Sequence, residues 1–284
     1  MEFLQPRTWA DALAAKAERP DALPIAGGTD VMVELNFDQV RPAALLDLTG
    51  VDELCEWSLE GDRVRVGAGV TYSRLITELG ALLPALATAS RTVGSPQIRN
   101  RGTVGGNLGS ASPAGDAHPP LLAGDAVVEV ESTRGIRTIP LGDFFAGVKR
   151  TALEPDELIK AVLVPSASGP QEFAKIGTRN AMVIAVTSFA VALHPGERRV
   201  GTGIGSAAPT PRRAEAAEEF AAEALDWEGR TPIPDEVAQR FGGLVAAAAA
   251  PIDDVRGTAA YRLHSLSVLA RRTLGWAWSN YQRT

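Results

Sequence analysis

Apolar residues fall into short blocks whose period changes along the chain, and the change divides it. Thr8 to Glu18 is alanine-rich behind a threonine cap and predicts a helix over 8–18 that Pro20 closes. The run Ala22-Leu23-Pro24-Ile25-Ala26 predicts a strand, Val31-Met32-Val33-Glu34-Leu35 a short helix, and Leu45-Leu46-Asp47-Leu48 a second strand. That opening has a β-α-β order, which suits a small parallel sheet. From Glu56 the pattern alternates: Glu56 to Gly67 predicts a hairpin across Gly61-Asp62, and Val127–Val130 with Thr138–Leu141 a second one around Thr133-Arg134-Gly135. Tyr72–Leu79 and Leu82–Ala89 read as helices, with Pro84 tolerated in a first turn. Leu158 to Val164 reads as a strand stopped by Pro165, so an antiparallel unit spans 56–165. Ser166 to Pro170 is the best linker. Beyond it, Phe173 to Leu193 holds strand material, Val200 to Ala207 a glycine-spaced strand or turn, and 211–225, 235–250 and 256–278 helical patterns. The fold class is α+β, with a separate carboxy-terminal α+β unit.

Length agrees with this division, because 284 residues exceed a typical domain of roughly 100–200 residues. A hydrophobic content of 45% and a charged content of 22% are those of an ordinary globular protein. The net charge of −6, without a long Lys/Arg run, argues against a nucleic-acid partner. Cys55 is the single cysteine, so the chain alone cannot supply the four thiolates of an ordinary iron–sulfur cluster. His118, His194 and His264 lie far apart without metal-ligand spacing and read as structural; no metal site is expected. The amino terminus lacks a basic region followed by an apolar one, and no apolar stretch approaches the ~20 residues of a membrane span. The expectation is a cytoplasmic protein without a membrane partner.

The candidate chemistry lies in two glycine-rich segments, Ala26-Gly27-Gly28-Thr29-Asp30 and Thr103-Val104-Gly105-Gly106-Asn107. The first stands between a strand and a helix start, where glycine permits close backbone approach and first-turn N–H groups face an anion. It reads equally as a glycine turn before an Asp30 helix cap. The second continues to Asp116 through small and hydroxyl residues that could not fill a core. It reads either as a bulge or tight bend, or as a place where a flat ring or diphosphate packs on backbone while Asn107 offers donor and acceptor. Two such segments suggest one long phosphate-containing ligand held at two places. Gly201-Thr202-Gly203-Ile204-Gly205 does not have dinucleotide-fingerprint spacing, and it reads as structural.

These strings resemble the flavin-binding (medium) subunit of the molybdenum hydroxylases, the xanthine and carbon monoxide dehydrogenase family. The matching residues are Pro24 to Asp30, Gly94 to Asn107, and Ser112-Pro113 with Asp116. A weaker echo at Lys175-Ile176-Gly177-Thr178-Arg179 is followed by the apolar stretch Val183 to Leu193. The resemblance implies a two-part FAD-binding domain of the PCMH type over 1–168, with a small βαβ-like part (1–55) and an antiparallel part (56–168). A smaller domain of the CO dehydrogenase flavoprotein type would occupy 171–284.

By the same resemblance FAD is bound noncovalently by Pro24, Ile25, Ala26, Gly27, Gly28, Thr29, Asp30, Thr103, Gly105, Gly106, Asn107, Ser112 and Asp116. Ile159 would pack on the cofactor, and Lys175 would lie close to the flavin. No residue of this chain is expected to be catalytic. The resemblance further implies a heterotrimer in which a large subunit carries the molybdenum cofactor and a small subunit carries two [2Fe–2S] clusters. Electrons would pass from those clusters to FAD here and on to an external acceptor such as NAD, with a purine such as xanthine favoured as substrate. Two other readings stay open. One is a stand-alone FAD-dependent reductase or oxidase, conceivable from the related fold of UDP-N-acetylenolpyruvoylglucosamine reductase; the other is a non-catalytic scaffold or assembly subunit.

Overall fold

The computed structural model describes residues 1–284. β1 (Glu2–Leu4), α1 (Trp9–Glu18), β2 (Leu23–Ile25), α2 (Val31–Asn36) and β3 (Ala44–Asp47) form the opening unit, a parallel sheet in the order β1-β3-β2. The Thr8 hydroxyl accepts from Asp11 N and starts α1, as its position predicts. β1 has no counterpart in the apolar pattern; three residues are too few to show a period.

Next come the hairpin β4 (Trp57–Glu60) and β5 (Arg63–Gly67), then α3 (Tyr72–Glu78), α4 (Pro84–Arg91), α5 (Pro96–Arg101), α6 (Val104–Ser110) and α7 (His118–Ala123). They are followed by β6 (Val127–Ser132), β7 (Gly135–Pro140), α8 (Leu141–Phe144), β8 (Phe145–Gly147), β9 (Arg150–Thr151) and β10 (Leu158–Pro165). Five of the strands make an antiparallel sheet, β4-β5-β10-β6-β7, with β10 at its centre. β6 shows the period of two cleanly: Val128, Val130 and Ser132 face inward. Its alternate residues Glu129 and Glu131 take Arg65 and Lys160 at 2.6 and 2.7 Å on the outer face.

The carboxy-terminal unit has the antiparallel sheet β11 (Gln171–Ile176), β12 (Thr187–His194) and β13 (Arg199–Gly205), with helices α9 (Glu215–Ala224), α10 (Asp235–Ala247) and α11 (Ala259–Tyr281). α9 starts four residues later than the pattern predicts, because Arg212 is extended and bridges to Ile204. Every residue of β12 is buried, since both faces of the sheet are covered. Phe189, Val191, Leu193, Val200 and Ile204 face the three helices. The opposite face carries small residues in cross-strand register, Ser188 with Gly205, Ala190 with Gly203 and Ala192 with Gly201.

Against that small-residue face lie α4 and α7 of the preceding unit, with Ala85, Ala89, Ala123, Phe173, Ala190 and Ala192 in one apolar cluster. A β-carbon at Gly201 would be driven into the Ala123 carbonyl, and one at Gly203 into the Pro119 carbonyl. The Gly-x-Gly-x-Gly string is therefore structural, as its spacing predicts. The linker is also pinned: Ser166 N donates to Asp62 O at 2.8 Å and Ala167 N to Leu82 O at 2.9 Å.

Candidate flavin site

The two glycine segments touch. A β-carbon on Gly27 would be driven into the Arg101 carbonyl at the end of α5, and Gly28 has a φ of 73°, in the left-handed region that favours glycine. Both glycines are thus required by the chain itself, and their effect is to bring the β2–α2 turn onto the start of the second segment. Asp30 sits at the N-cap of α2 but makes no side-chain cap bond, so it does not act as the cap its type suggests. The crowding of its carboxyl by surrounding protein, with the Glu34 charge nearby, raises its affinity for a proton. Lys149, paired with Glu34, offsets part of that rise. Pro24 and Ile25 in β2, and Ala26 and Thr29 in the turn that follows, are all half-buried.

The second segment is helical rather than a bend. The Thr103 hydroxyl accepts from Gly106 N at 2.9 Å and caps α6, a helix hidden in the sequence because three of its seven residues are glycine. Its glycines do different things. Gly105 is buried, and an added β-carbon would lie 2.5 Å from the Ala68 β-carbon, so its small size serves packing on the end of β5. This packing role is one that the expectation of a ligand contact at Gly105 does not include. Gly106 and Gly109 are exposed, and near them a β-carbon would meet only the Thr103 hydroxyl at 3.1 Å and Ile159 Cδ1 at 3.7 Å respectively. Ile159, on β10, therefore lies beneath the open side of α6.

Ser112 to Asp116 crosses below as an irregular loop. The Ser112 hydroxyl accepts from Ala114 N at 3.3 Å. Asp116 is buried and pairs with Lys175 at 2.6 Å, each side chain only 9% exposed. Lys175 lies on β11 in register with Ser188, on the sheet face that meets the preceding unit. Its other two donors go to Thr92 O at 2.9 Å and Val183 O at 3.1 Å. All three N–H groups are taken by protein, so Lys175 bears on the site through Asp116. Burial pushes the Asp116 carboxyl up to about 6, although Lys175 and Thr92 both favour its charged form.

Two further residues shape the site without a sequence signal for ligand contact. Tyr72 begins α3 as an ordinary core aromatic, its ring against Gly102, and its buried hydroxyl has no partner. Burial, with the Asp116 and Asp30 charges, pushes that phenol well above its usual range. His118 is wholly buried, and burial lowers it to about 4, so its neutral ring holds the Asn107 carbonyl at 3.1 Å through Nε2. Its ring lies 4.6 Å from that of Phe145, and the structural role expected of it holds. α7, which His118 opens, escapes the pattern because Pro119 and Pro120 occupy its first turn.

Three buried oxygens on these segments have no hydrogen-bond partner: Tyr72 Oη, Asn107 Oδ1 and Asp116 Oδ1. Orphaned buried polar atoms are costly, and these three, within or beside the strings that match the flavin-binding family, offer partners to a ligand. Two are acceptors that call for O–H or N–H donors, and the phenol can donate in return. The ribityl hydroxyls, ring N–H and ring carbonyls of FAD supply that chemistry, so the residues fit the cofactor. Arg99, by contrast, donates to the Val93 and Gly94 carbonyls at 3.0 Å each, and Arg101 is exposed.

Known proteins share this architecture. Residues 1–167 match the FAD-binding domain in molybdopterin dehydrogenase, and residues 172–277 the CO dehydrogenase flavoprotein C-terminal domain. The putative xanthine dehydrogenase FAD-binding subunit of Escherichia coli (strain K12) is 32% identical over 283 residues, 95% of this chain and 93% of that protein. The nicotine 6-hydroxylase medium subunit of Paenarthrobacter nicotinovorans is 31% identical over 279 residues, 96% of each. A structure of reconstituted CO dehydrogenase from Oligotropha carboxidovorans matches with a TM-score of 0.90 at 29% identity, over 99% of this chain and 98% of that one. With two family domains in tandem and the glycine junction inside the first, the chain belongs to the FAD-binding medium subunits of the molybdenum hydroxylases, the xanthine and CO dehydrogenase family of oxidoreductases.

Proposed function

We propose that this chain is the electron-transfer subunit of a hydroxylase complex. It would take electrons from [2Fe–2S] clusters on a small partner subunit and pass them to an external acceptor such as NAD, while a large subunit with the molybdenum cofactor oxidises the substrate. The observation that carries the proposal is the set of three orphaned oxygens, Tyr72 Oη on α3 and Asn107 Oδ1 and Asp116 Oδ1 on and after α6. When bound, FAD supplies a two-electron store between one-electron donors and an acceptor of hydride or single electrons.

The chain's own residues have separable tasks in this reading. Gly106 and Gly109 keep one side of α6 open for the ligand, and the Thr103 hydroxyl, whose oxygen caps the helix, still has a proton to donate. Asn107 and Asp116 accept from ligand donors; His118 fixes the first through its backbone and Lys175 fixes the second through its charge. Ile159 gives the floor an apolar surface. Pro24 to Asp30 and Ser112 complete the binding set. A purine substrate is supported by the likeness to the xanthine dehydrogenase subunit, although the substrate itself would bind another chain. No helix is long and apolar enough to cross a membrane.

The test is a tagged pull-down from the native host, with a visible spectrum and metal analysis of the eluate. Flavin and iron–sulfur absorbance with molybdenum and two further chains is the expected result. A lone yellow protein without iron or molybdenum would replace the proposal with a stand-alone flavoenzyme. A colourless protein that still captures its partners would replace it with a scaffold. Anaerobic bleaching of the flavin by NADH tests the acceptor.

A further inference from the structure

We propose that Arg262, on the carboxy-terminal helix and outside the glycine segments, is a positioning residue for the cofactor loop Ser112–Asp116, acting through Ser206. The inference rests on the reading that FAD binds at that loop.

Arg262 lies in the first turns of α11 and is 2% exposed. One guanidinium nitrogen, Nη1, donates to both Val186 O and Ser206 O at 2.6 Å; the other, Nη2, donates to Asp254 Oδ1 at 2.6 Å. Asp254 is itself gripped by Arg256 at 2.7 Å, and the hydrogen bond from Arg256, with Arg262 adding to it, holds the carboxyl well below its usual range. The fork therefore ties together the start of β12, the residue after β13 and the loop that leads into α11. The guanidinium makes these three bonds from two nitrogens held in one plane; a lysine here would have to make all of them from a single atom on a shorter side chain.

Ser206 is where the tie meets the site. Its φ is 59°, in the left-handed region unusual for serine, and three bonds keep it there. Its carbonyl accepts from Arg262, its hydroxyl donates to Ala185 O at 2.6 Å, and its N–H donates to Pro113 O at 2.8 Å. Pro113 lies three residues before Asp116, within the loop that presents the orphaned Asp116 oxygen. The loop is thus held by the carboxy-terminal unit at two points, Ser206 on Pro113 and Lys175 on Asp116. Lys175 fixes the carboxylate. Arg262 fixes the backbone conformation of Ser206, and with it the height of the loop beneath α6.

A purely structural arginine would stabilise the chain without selectively affecting the cofactor. The test therefore compares Arg262→Lys, Arg262→Met and Asp254→Asn with Leu274→Ala, a core truncation farther along α11 in the same helical core. On the full-length chain, FAD affinity is read by flavin fluorescence, the setting of the bound ring by visible circular dichroism, and stability by the urea midpoint. The expected result is an FAD affinity about tenfold weaker in both Arg262 variants, with an altered flavin dichroism. Leu274→Ala should lower the urea midpoint while binding FAD as the wild type does. Wild-type affinity and dichroism in Arg262→Lys would overturn the inference, as would equal loss of affinity in Arg262→Met and Leu274→Ala. Should Arg262→Met fail to fold, Arg262→Lys and Asp254→Asn decide it. A wild-type chain that takes up no FAD would defeat the functional reading and this inference together. FAD binding unchanged by all three variants would defeat this inference alone.

Discussion

Replacing Lys175 with methionine removes the cation that pairs with Asp116 at the junction of the two units. Burial holds the Asp116 carboxyl at about 6, against 3.8 for the free group. A carboxyl raised on folding contributes stability that is full below its unfolded value and lost as pH rises through its folded value. That rise corresponds to about 3 kcal/mol lost between acid and neutral pH, at about 1.4 kcal/mol per unit. In Lys175→Met the charge that restrains the rise is gone, so the carboxyl climbs further and the loss extends to higher pH. Breaking a buried pair costs roughly 3–5 kcal/mol when the remaining partner is ionised. The Thr92 and Val183 carbonyls also lose a donor, about 1–3 kcal/mol each, at any pH.

The gap in stability between wild type and variant should therefore widen from about pH 5, where Asp116 is mostly protonated in both, to about pH 8. Urea unfolding of the apo chain across that range measures it. Adding Asp116→Asn to Lys175→Met should return the pH-dependent part and leave the carbonyl part. A gap that does not change with pH would refute the reasoning. So would a double variant no more stable at alkaline pH than Lys175→Met alone.

The neighbouring glycines of α6 should separate under substitution: Gly106→Val should release FAD with little change in urea unfolding, whereas Gly105→Val should lower the stability read from urea unfolding by roughly 1–3 kcal/mol because it overpacks Ala68. Valine at 106 with stoichiometric FAD would sink the placement of the ligand. Gly203→Val should destabilise the chain by a similar or larger amount, since its side chain must displace Pro119 of α7; unaltered urea unfolding would contradict the close packing there.

The sequence made the regular parts legible and the site only partly so. β10 is visible because its eight residues form a nearly unbroken apolar run ended by proline, and α1 because a threonine cap precedes an alanine-rich stretch. α6 and α7 are not, because glycine and proline are poor helix formers and their helices hold only through a cap and tertiary packing. The glycine strings point to the site through their resemblance to the family. Tyr72 has no such signal, since an aromatic at a helix start ordinarily means core and its orphaned hydroxyl is visible only once Gly102 lies against the ring. Ser206 and Arg262 are likewise silent: their relation to Pro113 spans the chain and is set by how the third sheet docks.

That docking has a temporal consequence. Chains emerge from the ribosome amino terminus first, and folded units form in that order. The Ser112–Asp116 loop is synthesised well before Lys175, Ser206 and Arg262, so the nascent chain holds it without its two anchors. Until the third sheet arrives, the alanine face of α4 and α7 stands open to water. Maturation of the pocket is therefore a late event, and a chain that stalls before its third sheet would leave an exposed apolar face for chaperones to recognise.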